Sequence, residues 1–370
     1  MNPAYAAYQS GSSDGVASHR WAEVDLGALR HNVRWLKAKV PYATRLIAVV
    51  KADAYGHGAR QVAAAVLEGG AWGLAVVTLG EAAEVRDLLA PDRLLVMGPL
   101  LPDDAPEAAA GRCAVGCSSI EVARALASAA GAQPVPVHLK LDTGMGRYGA
   151  QPAEFAAMAR FALESEGLEL AGSWTHLASS DSDPAFTEEQ YRRFLEATAG
   201  LPGIRHVANS GAVLHHPEMA LDAVRVGIAL YGCGDPGLQP VLALRARVAH
   251  LKPVAAGTTI GYGQTWTAPA AAEIATVAIG YADGVHRARS NRGEVLVRGR
   301  RAPLAGRVSM DSIGVDVSGI PGVAVGDAAT LIGADGKERI RAEEVAAWSG
   351  TISYEVLTSI GRRVERVYRL

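Results

Sequence analysis

The sequence predicts an N-terminal (β/α)8 barrel followed by a mostly-β domain. Three observations carry this. Eight short apolar runs, each with a helix-period segment attached, precede residue 227. Polar, chemically active residues gather just after those runs. Beyond Gly237 the texture changes to β-branched alternation broken by glycine turns. The chain has 370 residues, 49% of them hydrophobic and 20% charged, which suits one large globular domain plus a smaller one. The expected division is residues 1–18 as a disordered extension, 19–238 as the barrel and 239–370 as the β domain.

In chain order, "VDLGALRHNVRWLKAKV" sets Leu26, Leu29, Val33 and Leu36 on one helical face, with Asp25 as a plausible N-cap. The first barrel strand is predicted at Leu46–Val50, with a helix around Gln61–Glu68. Gly73–Val77 leads to a helix near Glu81–Leu89, and Leu94–Met97 to a short Ala-rich helix. Cys113–Cys117 precedes a helix at Ser119–Ala130, and Val135–Leu141 one near Ala153–Glu164. Leu168–Thr175 precedes Thr187–Ala199, Ile204–Ala208 a short helix after Ser210, and Ala223–Val226 is the eighth strand. Continuous apolar strands joined by helices imply a parallel sheet covered on both faces. Eight of them imply closure into a barrel; an open doubly wound sheet is the alternative that pattern alone leaves. Segments such as "AEIATVAIGYADG" and "GEVLVRGRRAPLAGRVSMDSIGVDVS" then predict the β domain.

Several function classes are disfavoured. A net charge of −2 supplies no basic field for nucleic acid. No apolar run approaches bilayer-spanning length, and the first twenty residues lack the apolar centre of a secretion signal. The three cysteines, Cys113, Cys117 and Cys233, form neither a CxxC pair nor a zinc set. A cytoplasmic chain without a metal is expected.

Chemistry in such barrels collects at the C-terminal strand ends. There the sequence sets Lys51 and Tyr55 after the first strand and Lys140, Asp142 and Arg147 at the fifth. His176 follows the sixth, Asn209 and Ser210 the seventh, and Arg225 and Gly227 belong to the eighth. Each alone has an ordinary reading: Lys51 as the strand's exit into water, Arg225 as an ion pair, His176 as a core histidine, Ser210 as an N-cap. Their common location points to a site.

The loop "AVVKADAYGHG" resembles the pyridoxal-phosphate lysine signature of alanine racemases, fold-type III enzymes. "LKLDTGMGRYG", "THLASSD", "HVANSGA", "VRVGIALYG", "GYGQTW", "GYADG", "GRVSMD" and "SYEVLTSIGRRVERVY" are similar to that family's other blocks, in its order, from about Trp21 to Leu370. The resemblance implies a barrel with a C-terminal β domain and pyridoxal 5'-phosphate held covalently by Lys51. It implies interconversion of L- and D-alanine by two bases, Lys51 on one face and Tyr262 on the other, with D-alanine destined for peptidoglycan. Spreading the substrate's carbanion is the cofactor's chemistry; the protein supplies binding and proton exchange.

By the same resemblance, Arg147 and His176 lie around Tyr262, since a nearby cation favours its phenolate. Arg225 meets the pyridine nitrogen, which an arginine leaves unprotonated. Asn209 belongs to the cofactor's surroundings. Tyr55, Ser210, Gly227, Ile228 and Tyr354 hold the phosphate. Met310 and Asp311 reach the substrate carboxylate, and Tyr281 guards the entrance. Lys140 matches a lysine often carbamylated in this family; an ordinary ion-pairing lysine near Asp142 is the other reading. The family's head-to-tail homodimer would share the two sites. Ser309, Ser312 and "VHRARSN" depart from the usual pattern, which puts substrate range and turnover in doubt. The alternatives are a broad-specificity racemase acting on serine or lysine, a non-catalytic pyridoxal-phosphate homeostasis protein, and a two-domain decarboxylase. The β domain with its tyrosine counts against the second, and arginine rather than glutamate after strand eight against the third. His57 takes no assigned role.

Overall fold

The computed structural model describes residues 18–370 and divides at Leu26/Gly27 and Gln239/Pro240 into two units. The expected N-terminal extension lies, but for Ser18, outside the described residues.

After strand β1 (Arg20–Asp25), helix α1 (Leu26–Lys37) leads into the barrel unit, where Leu29, Val33 and Leu36 are buried. The barrel strands are β2 (Arg45–Val49), β3 (Gly73–Val76), β4 (Leu94–Val96), β5 (Ala114–Cys117), β6 (Val135–Lys140), β7 (Leu168–Trp174), β8 (Ile204–His206) and β9 (Ala223–Val226). All neighbouring pairs are parallel, in the order β8-β7-β6-β5-β4-β3-β2-β9. The two ends meet where Arg225 N donates to Ala208 O at 2.9 Å, and this closes the ring.

A tight turn, α2 (Lys51–Gly56), follows β2 and precedes α3 (Ala59–Glu68). The remaining connections carry α4 (Leu79–Val85), α5 (Ala105–Ala110), α6 (Ile120–Ala129), α7 (Pro152–Glu164), α8 (Pro184–Ala197) and α9 (Ser210–His215). Their starts follow local chemistry. Thr78 and Glu81 form a capping box on α4, and Ser119 and Asp183 cap α6 and α8. Proline opens α7 and α8, where its missing N–H costs nothing. The Asn32 amide on α1 bonds Leu230 O, Gln239 O and Gln239 N, fastening the unit's last residue to its first helix.

The second unit is built on β10 (Leu242–Val254), which pairs with β1 and with three-dimensional neighbours far along the chain. Its other strands are β11 (Thr259–Ile260), β12 (Trp266–Thr267), β13 (Ala272–Val277), β14 (Glu294–Val297), β15 (Arg300–Pro303), β16 (Ile313–Asp316), β17 (Ala328–Asp335), β18 (Glu338–Ile340) and β19 (Glu365–Arg369). Two short helices, α10 (Ala342–Ser349) and α11 (Ser353–Thr358), lie between the last two strands. The main sheet runs β15-β14-β17-β10-β1-β19. Strand β1 pairs antiparallel with β10 and parallel with β19. Residues 20–25 therefore belong to this unit and not to the barrel, as the division at residue 19 had them. Trp21, Ala22 and Val24 are buried as part of this sheet, which adjacency in sequence to a barrel helix concealed.

One buried carboxylate organises the unit's loops. Asp283, with no exposed surface, accepts from Arg20 Nη1 and Arg363 Nε at 2.9 Å each and from Gly280 N at 3.0 Å. Arg363 also reaches Asp311 at 2.8 Å. Burial acts to raise the Asp283 pKa, but Arg363, Gly280 N–H and Arg20 outweigh it and hold the carboxyl below its usual value. Its stabilising effect is thus present above the unfolded pKa and lost as pH falls through the folded one. Asp283→Asn is expected to lower stability by roughly 3 kcal/mol at neutral pH, the gap closing below about pH 4; urea unfolding across pH checks this.

Candidate active site

The buried run of β2 continues through Val50, and the chain then turns at Lys51. The strand stops at Val49, so Lys51 begins the turn instead of tipping the strand. Ala52, Asp53, Ala54 and Tyr55 all hold φ between 52° and 55° with ψ between 37° and 53°, a left-handed turn built from four L-residues. Each costs about 1–2 kcal/mol, and such strain persists only where surroundings over-determine it. Here Ala54 N donates to Val50 O at 2.9 Å and Gly58 N to Asp53 O at 3.0 Å. Ala59 N donates to the Asp53 carboxylate at 2.7 Å. Glu81 accepts from Ala52 N at 2.7 Å with one oxygen and from Val77 N at 2.8 Å with the other, tying the end of β3 to the turn. Burial lowers the Lys51 pKa and the Arg147 charge adds to this, with Glu81 opposing.

Opposite ends of the barrel ring supply a second cation. Arg225 in β9 is 3% exposed. Its Nη1 donates to His206 O at 2.7 Å and meets His206 Nδ1 at 2.8 Å, while Nη2 donates to Thr175 O at 2.7 Å. Guanidinium nitrogens only donate, so His206 Nδ1 is an acceptor and its proton sits on Nε2. That N–H points to His138 Nδ1, 2.8 Å away, so the chain runs Arg225 to His206 to His138 with every proton assigned. The Trp174 ring stacks parallel to His206 at 6.1 Å and faces Arg225 at 4.8 Å. Burial pulls Arg225 down to about 9, which leaves it cationic at neutral pH. Burial and then Arg225 push His138 down to about 3 and hold His206 well below its usual value, so both stay neutral.

Lys140 ends β6 inside the barrel, its Nζ without a hydrogen-bond partner. It lies 3.0 Å over the Tyr148 ring and 4.7 Å over Trp174. Burial, then Arg147 and Arg225, push it down to about 7 against the pull of Asp142. His176 is driven to about 3 by burial and then by Arg225, Arg147, Lys140 and Lys51. Behind it, Gln190 bonds Thr143 Oγ1, His176 O and Ala178 N, joining the loops after β6 and β7.

Ser210 Oγ accepts from Gly227 N at 3.0 Å and Ala229 N at 3.3 Å, which leaves its own O–H to donate. A Cβ on Gly227 would stand 2.3 Å from Tyr55 Oη, so only glycine fits between them. Ile228 opens the short turn that follows. The Asn209 side chain is occupied within the protein, accepting from Ala212 N and Ser180 Oγ and donating to Leu177 O. An amine, a buried guanidinium and a hydroxyl-lined, glycine-permitted cradle suit a small anionic carbonyl compound bearing phosphate; pyridoxal phosphate fits this donor set.

The barrel unit thus gathers Lys51, Tyr55, Lys140, Arg147, His176, Asn209, Ser210, Arg225, Gly227 and Ile228. Tyr262, Tyr281, Met310, Asp311 and Tyr354 belong to the other unit. Tyr262 caps the β11–β12 hairpin between Gly261 and Gly263, both at positive φ, and is 72% exposed. Met310, Tyr281 and Tyr354 are exposed too. A groove of about 670 Å³ in this unit runs past His250, Tyr262, Arg307, Ser309 and Ser312. Ser309 Oγ bonds Ser312 O at 2.6 Å and closes the turn that presents Met310 and Asp311.

Sequence reasoning passed over His206, His138, Trp174, Tyr148 and Glu81. Their signal was available: two histidines and a tryptophan stand at the inward ends of otherwise apolar strands. Among the described residues no cluster of three or more His, Cys, Asp or Glu could hold a metal, and no helix is long and apolar enough to cross a membrane.

A closed parallel barrel with a lysine amine, a buried arginine and a serine hydroxyl left to donate at its strand ends defines a barrel enzyme for an anionic ligand. Comparison with known proteins narrows the class. The description "Alanine racemase, N-terminal domain" matches residues 24–235 and "Alanine racemase, C-terminal domain" residues 241–368. The alanine racemase of Desulfosudis oleivorans is 43% identical over 94% of this chain and 96% of its own length, and that of Sorangium cellulosum 43% over 94% and 98%. Among solved structures, the biosynthetic alanine racemase of Pseudomonas aeruginosa superposes with a TM-score of 0.88 at 40% identity, covering 95% of this chain and all of that one. That of E. faecalis gives 0.89 at 35%, covering 96% and 99%. The chain belongs to the alanine racemase family.

Because Ala52 is exposed and left-handed, Ala52→Gly is expected to stabilise the protein by about 1 kcal/mol despite glycine's greater unfolded-state freedom. A loss on equilibrium denaturation would contradict the strain assigned to the turn.

Proposed function

We propose that this chain interconverts L- and D-alanine with pyridoxal 5'-phosphate, and that the D-alanine serves peptidoglycan. The observation that carries the reading is a buried Arg225, fully donating at the strand ends of the same barrel whose first strand leads into the Lys51 amine. When bound, the cofactor supplies an electron sink for the substrate's α-carbon. Lys51, its pKa lowered, is suited to hold the cofactor and exchange a proton at its Nζ. Arg225 would meet the ring nitrogen with a group that keeps its own proton, which favours prompt reprotonation of the substrate over side reactions such as transamination. Ser210 O–H, Tyr55 Oη, the Ile228 N–H and Tyr354 would hold the phosphate, with Gly227 permitting its close approach and Asn209 bracing their loop. His176, neutral, would lie beside the cofactor.

Tyr262 is the second base, on the substrate's other face, with Arg147, Met310, Asp311 and Tyr281 ordering the substrate. Its exposure, with that of Tyr281 and Met310, supports a head-to-tail homodimer in which each β unit completes a partner's barrel mouth. A cytoplasmic location goes with this substrate and cofactor. Lys140, a buried amine among cations without a partner, is suited to carbamylation, which would turn it into an anion able to orient Arg147.

Wild type purified with cofactor should absorb near about 420 nm and convert either alanine enantiomer into the racemate. Lys51→Ala should lose both. Tyr262→Phe should lose solvent-deuterium exchange from one enantiomer while keeping the band. A preference for serine or lysine would favour the broad-specificity racemase instead, and binding without turnover the homeostasis protein. Lys140 is expected to show a carbamate carbon signal after incubation with 13C-bicarbonate, absent in Lys140→Ala.

A further inference from the structure

The left-handed turn after Lys51 needs something to hold its carbonyls, and His57 stands where that is done. His57 is completely buried. Its Nδ1 lies 3.0 Å from Ala54 O and 2.9 Å from Tyr55 O. Carbonyl oxygens only accept, so Nδ1 carries a proton whatever the charge of the ring. One N–H is therefore shared between the last two carbonyls of the turn, and His57 N adds a further bond to Ala54 O at 3.1 Å.

The ring is held in turn. It packs on Tyr231 with centroids 4.5 Å apart, and Tyr231 packs on Tyr55 at 4.7 Å. Tyr231 O–H donates to Val49 O at 3.0 Å, at the end of the strand that delivers Lys51. The three rings thus connect the strand end, the turn and the hydroxyl beside Gly227. Tyr55 reaches Gly227 from a left-handed backbone, and right-handed φ and ψ over Ala52–Tyr55 would redirect the chain that places it there. None of these contacts requires His57 to touch substrate or cofactor.

We propose that His57 is a positioning residue, whose Nδ1–H clamps the left-handed turn and so sets where the Lys51 amine and the Tyr55 hydroxyl lie. The functional consequence rests on the cofactor-binding reading given above; the clamp itself does not.

The test compares His57→Asn, which keeps an amide donor at the Nδ1 place, with His57→Phe, which keeps a stacked ring and loses the donor. Amide hydrogen exchange of the unliganded full chain reads the clamp at Ala54 N and Gly58 N, and titration with pyridoxal phosphate reads the site. His57→Phe is expected to exchange at those two amides and to bind the cofactor about tenfold or more worse, with His57→Asn within about threefold of wild type on both. If His57→Phe does not fold, His57→Gln, whose donor falls at the Nε2 place, should show the same loss. Wild-type protection in His57→Phe or His57→Gln, or equal impairment in His57→Asn, overturns the clamp. Should wild type take up no pyridoxal phosphate, the cofactor reading fails, and the exchange data still decide the clamp.

Discussion

Arg225 closes the barrel twice. Its backbone N–H spans the seam to Ala208 O, and its guanidinium donates to carbonyls at the ends of β7 and β8 and to the His206 ring. A charge this deeply buried is tolerated only when hydrogen-bonded throughout, so the strand ends around it have little freedom to shift. Those same two strands lead into His176, Asn209 and Ser210. The precision of the site follows from satisfying one arginine.

The electrostatics then point one way. Lys51, Lys140, Arg147 and Arg225 act on one another and on His176, and Glu81 and Asp142 are the acidic groups that oppose them. Histidines that would add charge stay neutral, and lysines that would add charge are pushed toward neutrality. An excess of positive potential at the strand ends is complementary to an anion. The departures Ser309 and Ser312 do not enter this set. They bond each other in the β unit, where they shape the turn bearing Met310 and Asp311.

The two units hold their functional groups by different means. In the barrel, positions are set by burial and strand ends, and the left-handed turn is held against its own conformational cost by Glu81, Asp53 and the ring stack. In the β unit, Tyr262 stands on glycines at positive φ, while Asp283 and Arg363 anchor the loops that carry Tyr281 and Asp311.

By itself the sequence determined the eight strands, their alternation with helices, the change to β structure after Gly237 and the presence of polar residues at strand ends. Each of these depends on local periodicity or on which residue follows an apolar run. Tertiary structure alone decided the rest. Pairing of β1 with β10 and β19 joins segments more than two hundred residues apart, which no local pattern encodes. The handedness of Ala52–Tyr55 runs against the preference of its own residues and survives only through contacts from Glu81, His57 and Tyr231. The tautomers of His206 and His138 follow from one guanidinium placed beside them by barrel closure. Polar partners that act through space, not through spacing, become visible only when the ring is closed.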